Sequence, residues 1–405
     1  MNNEHIVGQK KRLLFYELEK HISHKNALVV TGMRQVGKTT LLRQVYDYLE
    51  GKPKVWFDLD NPLDQKLFED IDYKNIYENI VKMSGAGVGG KTIYVFVDEI
   101  QNFPQITKII KYLLDHFGVK FLVTGSSSFY LKNLFPESLA GRKFLFVLKP
   151  LDFWEYLYFK GKISLDAALS KNKDKTFAKG NLFEYKKVEA DYEDFLLYGG
   201  FPEVVVTKDE ETKRQVLKNI FASFFEKDLK ILSDYKDTKE LRDLILLLVP
   251  RVGSLLDVTR IASELGVERV KVYSYLEFLR GIFFLYLAPR FSKSVDRSVA
   301  GGRKVYFCDN GLLNIVGKVS EGQILENSIY NQLSKFGEVS YYNKRGVSEI
   351  DFILDKQTAF EVKSLAVKKD VTRLKKLALE IGIENSFVIS KRFTDIEGIL
   401  FSQLI

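Results

Sequence analysis

Residues 27–42 read ALVVTGMRQVGKTTLL, and this stretch decides the fold of the N-terminal part of the chain. Its first five residues are apolar or β-branched, which is typical of a buried strand. The segment from Gly32 to Thr39 satisfies G-x-x-x-x-G-K-[ST], and the apolar residues after it recur with helical spacing. A strand, a glycine-rich loop and a helix in this order predict a phosphate-binding loop within an α/β fold.

The predicted loop offers several kinds of contact to a nucleotide. Its glycines let backbone amides face the phosphates at the positive end of the helix dipole. Lys38 can reach the β and γ oxygens, so it also counts as a catalytic residue, and the Thr39 hydroxyl can bind magnesium. The predicted ATP-binding residues are Gly32, Arg34, Gln35, Val36, Gly37, Lys38, Thr39 and Thr40.

Further apolar runs alternate with helical stretches up to about Leu148, which predicts a parallel sheet with helices on both faces. One run, residues 93–97, is apolar on both faces and ends in Asp98 and Glu99. We expect Asp98 to hold Mg²⁺ through water and Glu99 to orient and polarise the attacking water. The alternative is that the carboxylate pair only caps a helix.

Two more polar positions follow in the same region. The next strand, 121–124, leads into Gly125 and three serines, of which Ser126 is predicted to sense the γ-phosphate. A serine-rich turn that caps the following helix is the alternative. Arg142 precedes another strand and is predicted to act as an arginine finger, in cis or in trans, or else to be a surface arginine.

These residues resemble a group of AAA+ type ATPases, mostly archaeal and bacterial, that carry a winged-helix unit and a restriction-endonuclease-like C-terminal domain. The resemblance spans nearly the whole chain and implies an ATPase, but it supplies no settled biological role. Its marks are TGMRQVGKTTLL (31–42), VFVDEIQNFP (95–104), TGSSSFYL (124–131), LAGRKFLFVLKPLDFWEYL (139–157), YGGFPEVV (198–205), KVYFCDNGLL (304–313) and ILEN (324–327).

Residues 255–306 read as a helix, a glycine stop, a second helix and two short strands, which looks like a winged helix-turn-helix. Arg269, Lys271 and Ser274 of the second helix would be available to a DNA groove. Glu268 and Glu277 weaken the positive field there. Because many such units only pack against protein, DNA binding and protein packing both stay open.

The last part of the chain resembles the PD-(D/E)xK nuclease constellation. Glu326 lies on a predicted helix, Asp351 near the start of a strand, and Glu361 and Lys363 on the next strand. Residues two apart on a strand share a face, so Glu361 and Lys363 point together, and Asp351 on the neighbouring strand would complete a magnesium site that includes Glu326. Metal would activate water and Lys363 would position it or stabilise developing charge. The alternative is an exposed strand of alternating charge.

The chain has 405 residues, 46% of them hydrophobic and 28% charged, which predicts several globular domains. Its apolar runs are too short for a membrane helix, and its only cysteine is Cys308, so we expect a cytoplasmic protein that contacts no membrane. The predicted domains are an ATPase domain (1–160), a lysine-rich excursion with a helical region (161–250), a winged helix-turn-helix (251–318) and a nuclease-like domain (319–405). Within the second of these, residues 164–187 are weakly patterned and predict an exposed loop or a poorly packed excursion.

A net charge of +8 favours a polyanionic partner, although a lysine-rich solvated surface explains it equally well. Two functional hypotheses therefore remain. In the first, the protein is an ATP-regulated enzyme that acts on DNA and cuts it through Asp351, Glu361 and Lys363. In the second, it is an ATP-driven switch or scaffold whose C-terminal fold only binds a protein partner. The oligomeric state stays open.

Overall fold

The computed structural model describes residues 10–86, 92–125, 139–228, 235–292, 294, 301–344 and 348–405. The chain divides into two compact units. The first runs to Lys149 and includes Gly281–Phe283, and the second consists of Pro150–Arg280 and Phe284–Ile405.

The first unit is built on a parallel sheet, which confirms the predicted α/β class. In its described part, five strands pair in the order β2-β3-β4-β1-β5, and every pair is parallel. The strands are β1 (Ala27–Thr31), β2 (Lys54–Asp58), β3 (Tyr94–Asp98), β4 (Lys120–Gly125) and β5 (Lys143–Val147). Because all of them run the same way, the carboxyl ends of β1, β3 and β4 lie at one edge of the sheet.

Helices cover both faces of this sheet, as the sequence predicted. On one face, alternate strand residues such as Val29, Val97 and Val123 join a core with apolar residues of α4 and α5. On the other, the ring of Tyr46 in α2 meets Phe96 at 5.1 Å between centroids. The helices are α1 (Leu13–Glu19), α2 (Lys38–Tyr48), α3 (Pro62–Leu67), α4 (Tyr73–Ser84) and α5 (Ile106–Phe117).

The second unit begins with a helical region and continues into a helix-turn-helix followed by a hairpin. Asp257 caps α12, Gly266 ends it in a left-handed conformation, and α13 follows. The antiparallel strands β6 and β7 come next. The elements are α6 (Phe153–Phe159), α7 (Leu165–Lys173), α8 (Leu182–Tyr198), α9 (Pro202–Val206), α10 (Glu210–Ser223), α11 (Tyr235–Leu248), α12 (Val258–Leu265), α13 (Arg269–Gly281), β6 (Leu285–Pro289) and β7 (Arg303–Phe307).

A mixed sheet ends the second unit. In the described residues its order is β12-β11-β10-β9-β8, antiparallel from β8 to β10 and parallel from β10 to β12. Apolar residues of α16 and the strands, among them Leu374, Ile353 and Val388, form one core. The elements are α14 (Asn310–Val316), α15 (Glu321–Leu333), β8 (Val339–Lys344), β9 (Ser348–Leu354), β10 (Thr358–Lys363), α16 (Lys368–Glu380), β11 (Asn385–Ser390) and β12 (Ile399–Phe401).

The first unit ends at Lys149, and in the second unit Phe153 of α6 packs its ring against Tyr192 and Phe195 of α8. The predicted domain limits, with the ATPase domain at 1–160, stay a prediction. The lysine-rich stretch 164–187, predicted to be an exposed loop or a poorly packed excursion, contains α7 and the start of α8 on either side of residues 174–181. In the described part of the chain, no helix is both long and apolar enough to cross a membrane.

Candidate functional site

The glycine-rich loop runs from the end of β1 to the start of α2, where the sequence predicted it. Gly32 adopts φ +149°, and a Cβ there would lie 2.1 Å from the carbonyl oxygen of Leu148. Gly37 precedes α2 in the left-handed region, with φ +93°. Both positions therefore require glycine, the first for a close backbone approach and the second for its φ.

The Lys38 side chain folds back over this loop. Its ammonium donates to the carbonyl oxygens of Gly32 at 3.0 Å and Met33 at 2.9 Å, and the residue is 5% exposed. These contacts hold a positive charge at the N-terminal end of α2, where the helix dipole also favours anions. The loop is thus arranged to receive phosphate oxygens.

Asp98 lies at the end of β3 within a network of hydroxyl groups. The Thr124 hydroxyl at the end of β4 donates to its carboxylate, and so does the Thr39 hydroxyl at the start of α2. Burial raises the pKa of Asp98, these two hydrogen bonds lower it, and the neighbouring Glu99 and Asp58 raise it, with a net upward shift. The structure therefore brings together Thr39 and Asp98, the two side chains predicted to share a magnesium ion.

The surroundings of Asp98 fit such an ion. The carboxylate is 3% exposed and has two further carboxylates close enough to raise its pKa. A divalent cation beside it would offset this concentration of negative charge, and Mg²⁺ in nucleotide sites is held by one or two protein oxygens together with phosphates.

Glu99 leaves the strand in a conformation that side chains rarely adopt. Its φ is +53°, its backbone N–H lies 3.2 Å from the Thr124 hydroxyl oxygen, and the Gln101 amide donates to its carboxylate. Left-handed backbone at a residue other than glycine persists where the surroundings impose it, and such residues cluster at functional sites. The predicted base thus stands beside Asp98, on a turn that directs it away from the strand.

Another predicted residue, Arg142, does not join this group. Arg142 lies at the opposite edge of the sheet, because its carbonyl accepts from the N–H of Ala27, the first residue of β1. Its guanidinium binds Asp115 at 2.7 Å. At this position Arg142 cannot act as an arginine finger in cis, because the phosphates would lie beyond the other end of β1. A role of Arg142 in trans stays a prediction. Ser126 lies outside the described residues.

Arg12, which precedes α1, contacts the glycine-rich loop, and no sequence motif indicates this contact. Its guanidinium donates to the carbonyl oxygens of Val36 at 2.6 Å and Lys149 at 2.8 Å, and the residue is 6% exposed. Because both acceptors are backbone atoms, no side-chain pattern marks their positions. The role of Thr124 was also missed, although the sequence placed it beside the carboxylates.

The carboxylates predicted for a nuclease site are arranged differently from a metal site. In the described residues, no group of three or more His, Cys, Asp or Glu side chains is placed to hold a metal ion. Glu361 binds Lys363 at 2.8 Å and also Arg373, so protein cations already contact it. Its second oxygen, Oε2, is buried without a hydrogen-bond partner among the described atoms.

Lys304 of β7 supplies a cation to the remaining carboxylates. It is 3% exposed, and its ammonium lies 3.5 Å from Glu326 and 2.5 Å from Glu349. The pKa of Glu326 is raised to about 7, mainly by burial and next by the nearby Asp351, while Lys304 acts to lower it. Asp351 accepts from the Val362 N–H at 2.8 Å, and burial raises its pKa while Lys304 lowers it. Protein cations thus contact Glu326 and Glu361, and the prediction that Glu326, Asp351 and Glu361 together hold Mg²⁺ stays a prediction.

The second helix of the helix-turn-helix offers little to DNA in this structure. The ammonium of Lys271 lies 2.7 Å from both Asp237 and Glu240, and the Ser274 hydroxyl bonds to its own helix at the carbonyl of Val270. Of the three residues predicted to face a DNA groove, only Arg269 has no ion pair or helix hydrogen bond among the contacts of the described residues, and its side chain is exposed.

Two of the sequence segments that carry the family resemblance meet at the buried carboxylate of Asp309. Asp309 accepts from the backbone N–H groups of Gly200 at 2.7 Å and Leu312 at 3.0 Å, and burial raises its pKa to about 6. A Cβ at Gly199 would lie 2.1 Å from this carboxylate. The segments 198–205 and 304–313 are thus joined by a cap.

Comparison with known proteins agrees with the geometry of the first unit. Residues 24–157 match a family model described as an AAA domain, and residues 189–323 match one described as a domain of unknown function, DUF8612. The first match contains the glycine-rich loop, Asp98 and Thr124. The N-terminal part of the chain therefore has an AAA-type P-loop ATPase domain.

Relatives extend over both units. The chain is 29% identical over 354 residues to an uncharacterized protein of Haemophilus influenzae, with 82% of each chain covered. It is 26% identical over 399 residues to the uncharacterized protein MJ1544 of Methanocaldococcus jannaschii, covering 94% of this chain and 85% of the relative. Among solved structures, the Walker-type ATPase PABY2304 of Pyrococcus abyssi is similar with a TM-score of 0.48 at 15% identity, covering 75% of this chain and 94% of that chain.

Proposed function

We propose that the first unit binds ATP with Mg²⁺ and hydrolyses it to ADP and phosphate. The observation that carries the proposal is the meeting of Thr39, Asp98 and Thr124 at the sheet edge where the glycine-rich loop opens. Thr39 and Asp98 would hold Mg²⁺, which when bound neutralises charge on the β and γ phosphates.

The protein groups have distinct roles in this reaction. Loop amides and the N-terminus of α2 bind the phosphates, while the Lys38 ammonium exchanges the carbonyls of Gly32 and Met33 for phosphate oxygens. Glu99 orients a water molecule in line with the γ-phosphorus and accepts its proton as the new P–O bond forms and the bond to the bridging oxygen breaks. Thr124 keeps the Asp98 carboxylate in position.

Two substitutions test this assignment. We expect Lys38→Ala to lose ATP binding, and Glu99→Gln to bind ATP while its turnover falls by about 10²–10⁴-fold, because the amide keeps the shape of the base but accepts no proton. Phosphate release measures turnover, and a fluorescent ATP analogue measures binding. The exposed residues Lys52 and Glu50 provide the matched controls Lys52→Ala and Glu50→Gln. Hydrolysis by Glu99→Gln at the wild-type rate would remove Glu99 from this role.

For the second unit, the arrangement favours a partner-binding scaffold over a nuclease. Lys304, Lys363 and Arg373 already contact the carboxylates that a nuclease would use for metal. The pairing of Lys271 with acids likewise lowers the positive charge of the helix-turn-helix. We therefore propose that ATP turnover in the first unit drives a switch whose second unit binds a protein.

A cleavage assay separates this proposal from the nuclease hypothesis. Supercoiled, linear and single-stranded DNA are incubated with Mg²⁺ or Mn²⁺, with and without ATP. We expect no cleavage by the wild type alongside intact ATP hydrolysis. Cleavage that disappears in Asp351→Ala and persists in Asp395→Ala, a control whose side chain is 87% exposed, would establish the nuclease instead. DNA binding is followed in parallel by fluorescence anisotropy at two salt concentrations.

A further inference from the structure

Arg12 holds the glycine-rich loop from outside the sequence motif. The residue precedes α1, and its guanidinium reaches the carbonyl of Val36, inside the loop, at 2.6 Å. A charged donor on a carbonyl makes a stronger hydrogen bond than a neutral one, particularly at a residue that is only 6% exposed. This contact acts on one particular peptide unit of the loop.

That peptide joins Val36 to Gly37, and its orientation matters for phosphate binding. A peptide bond is planar and trans, so the N–H of Gly37 points the opposite way from the Val36 carbonyl. With the carbonyl bonded to Arg12, the N–H faces away from Arg12. Gly37 has φ +93° and lacks a Cβ, so the peptide could flip at little steric cost without such a bond. A flipped peptide would present a carbonyl oxygen, which repels phosphate, in place of an N–H donor.

The second nitrogen of the guanidinium ties Arg12 to the segment that follows β5. It donates to the carbonyl of Lys149 at 2.8 Å. The residue before it, Leu148, donates its N–H to Thr31 at 2.7 Å, and its carbonyl oxygen is the atom that a Cβ at Gly32 would meet. Arg12 thus joins the end of the loop, at Val36, to the segment against which the start of the loop packs.

We infer that Arg12 is a positioning residue for ATP binding, which fixes the peptide between Val36 and Gly37 so that its N–H serves the phosphates. This inference rests on the proposed ATPase function. Arg12 touches the loop backbone, so it acts through the loop and takes no part in the chemical step. Its effect therefore lies on the affinity for ATP more than on the turnover of bound ATP.

The test compares Arg12→Met with a variant that lowers stability elsewhere in the same unit. Leu113 of α5 is fully buried in the core, so Leu113→Ala lowers the melting temperature without touching the loop. Binding of a fluorescent ATP analogue and the KM and kcat for hydrolysis are measured for both variants well below their melting temperatures. We expect Arg12→Met to weaken binding by about tenfold or more and to raise KM more than it lowers kcat. Leu113→Ala should bind as the wild type does.

Two further variants sharpen the result. Arg12→Lys keeps the charge but replaces the planar, forked guanidinium with a shorter side chain and a single nitrogen. We expect an intermediate affinity, which also covers the case in which Arg12→Met fails to fold. In a Lys38→Ala background, Arg12→Met should add little, because the loop has then already lost the ammonium that binds phosphate. Unchanged affinity in Arg12→Met, or equal loss in Leu113→Ala, would overturn the inference. A wild type that binds no ATP would instead overturn the proposed function.

Discussion

Replacing Lys304 by methionine would test whether an internal ammonium holds the C-terminal carboxylates together. The side chain is 3% exposed, and its ammonium contacts Glu326 and Glu349, while its charge also acts on Asp351. Methionine matches the length of the lysine side chain but carries no charge. The variant therefore leaves these carboxylates in a poorly solvated environment without the ammonium that pairs with them.

The size of the effect follows from the burial of each partner. Removing one member of a buried ion pair costs about 3–5 kcal/mol. Glu326 is 20% exposed and Glu349 is 42% exposed, so solvent screens part of the loss and we expect the lower end, about 3 kcal/mol. For a unit of this size, that corresponds to a fall in melting temperature of roughly 6–12 °C.

The loss should depend on pH in a defined direction. The pKa of Glu326 is raised to about 7, above its ordinary 4.5, so the folded protein binds more protons in this window. The unfolding free energy contributed by Glu326 therefore falls as pH rises from about 4.5 to 7. Without Lys304, which lowers this pKa, the penalty on the charged form grows. We expect a larger defect at pH 8 than at pH 5.

Thermal and urea unfolding of the wild type, Lys304→Met and Lys304→Met/Glu326→Gln would measure these changes. We expect Glu326→Gln to restore most of the stability lost in Lys304→Met, because it removes the unpaired charge. Lys318→Met, at an exposed lysine, provides the matched control. Wild-type stability of Lys304→Met at pH 8, or no recovery in the double variant, would refute the assigned role of Lys304.

Three further predictions concern single positions. Gly32→Ala should bind ATP at least about tenfold more weakly in a fluorescence titration, because its Cβ would lie 2.1 Å from the Leu148 carbonyl oxygen and something must shift. Thr124→Val removes a hydrogen bond to Asp98, so the Mg²⁺ concentration for half-maximal hydrolysis should rise several-fold in a magnesium titration. Burial raises the pKa of Asp309 to about 6 from 3.8, so its contribution to the unfolding free energy should fall by about 3 kcal/mol as pH rises between these values. Urea unfolding of the wild type and Asp309→Asn at pH 4.5 and pH 7 would check this, since the substitution should reduce the pH dependence.

The nucleotide side of the molecule follows closely from its sequence. The loop from Gly32 to Thr39 is a local pattern, and the backbone it specifies depends on glycine at two fixed positions. Asp98 is placed beside it because parallel strands put their carboxyl ends at one edge, so a strand followed by acids is enough to predict the meeting. The fold class, and the meeting of Thr39 with Asp98 on which the proposed Mg²⁺ site depends, are therefore both predictable from the sequence.

The sequence of the lysine-rich segment contains local signals for helix starts. Ser164 caps α7, and Asn181 with Glu184 forms a capping box at the start of α8. Such caps predict helix starts. The prediction of an exposed loop rested instead on the weak apolar periodicity of this segment. The periodicity is weak because lysines face solvent along much of the surface of these helices.

The C-terminal carboxylates show a different limit of prediction from sequence. The sequence indicates where these side chains lie but not which cations pair with them. The strand pattern correctly predicts that Glu361 and Lys363 share a face, and they form an ion pair. It says nothing about Arg373, which arrives from the following helix, or about Lys304, which belongs to a hairpin before the sheet begins. An acidic set at nuclease spacing has the same appearance whether its counter-charge is a divalent ion or an ammonium of the chain. The contact of Lys304 with Glu326 is visible only in the tertiary structure, since Lys304 lies outside the acidic pattern.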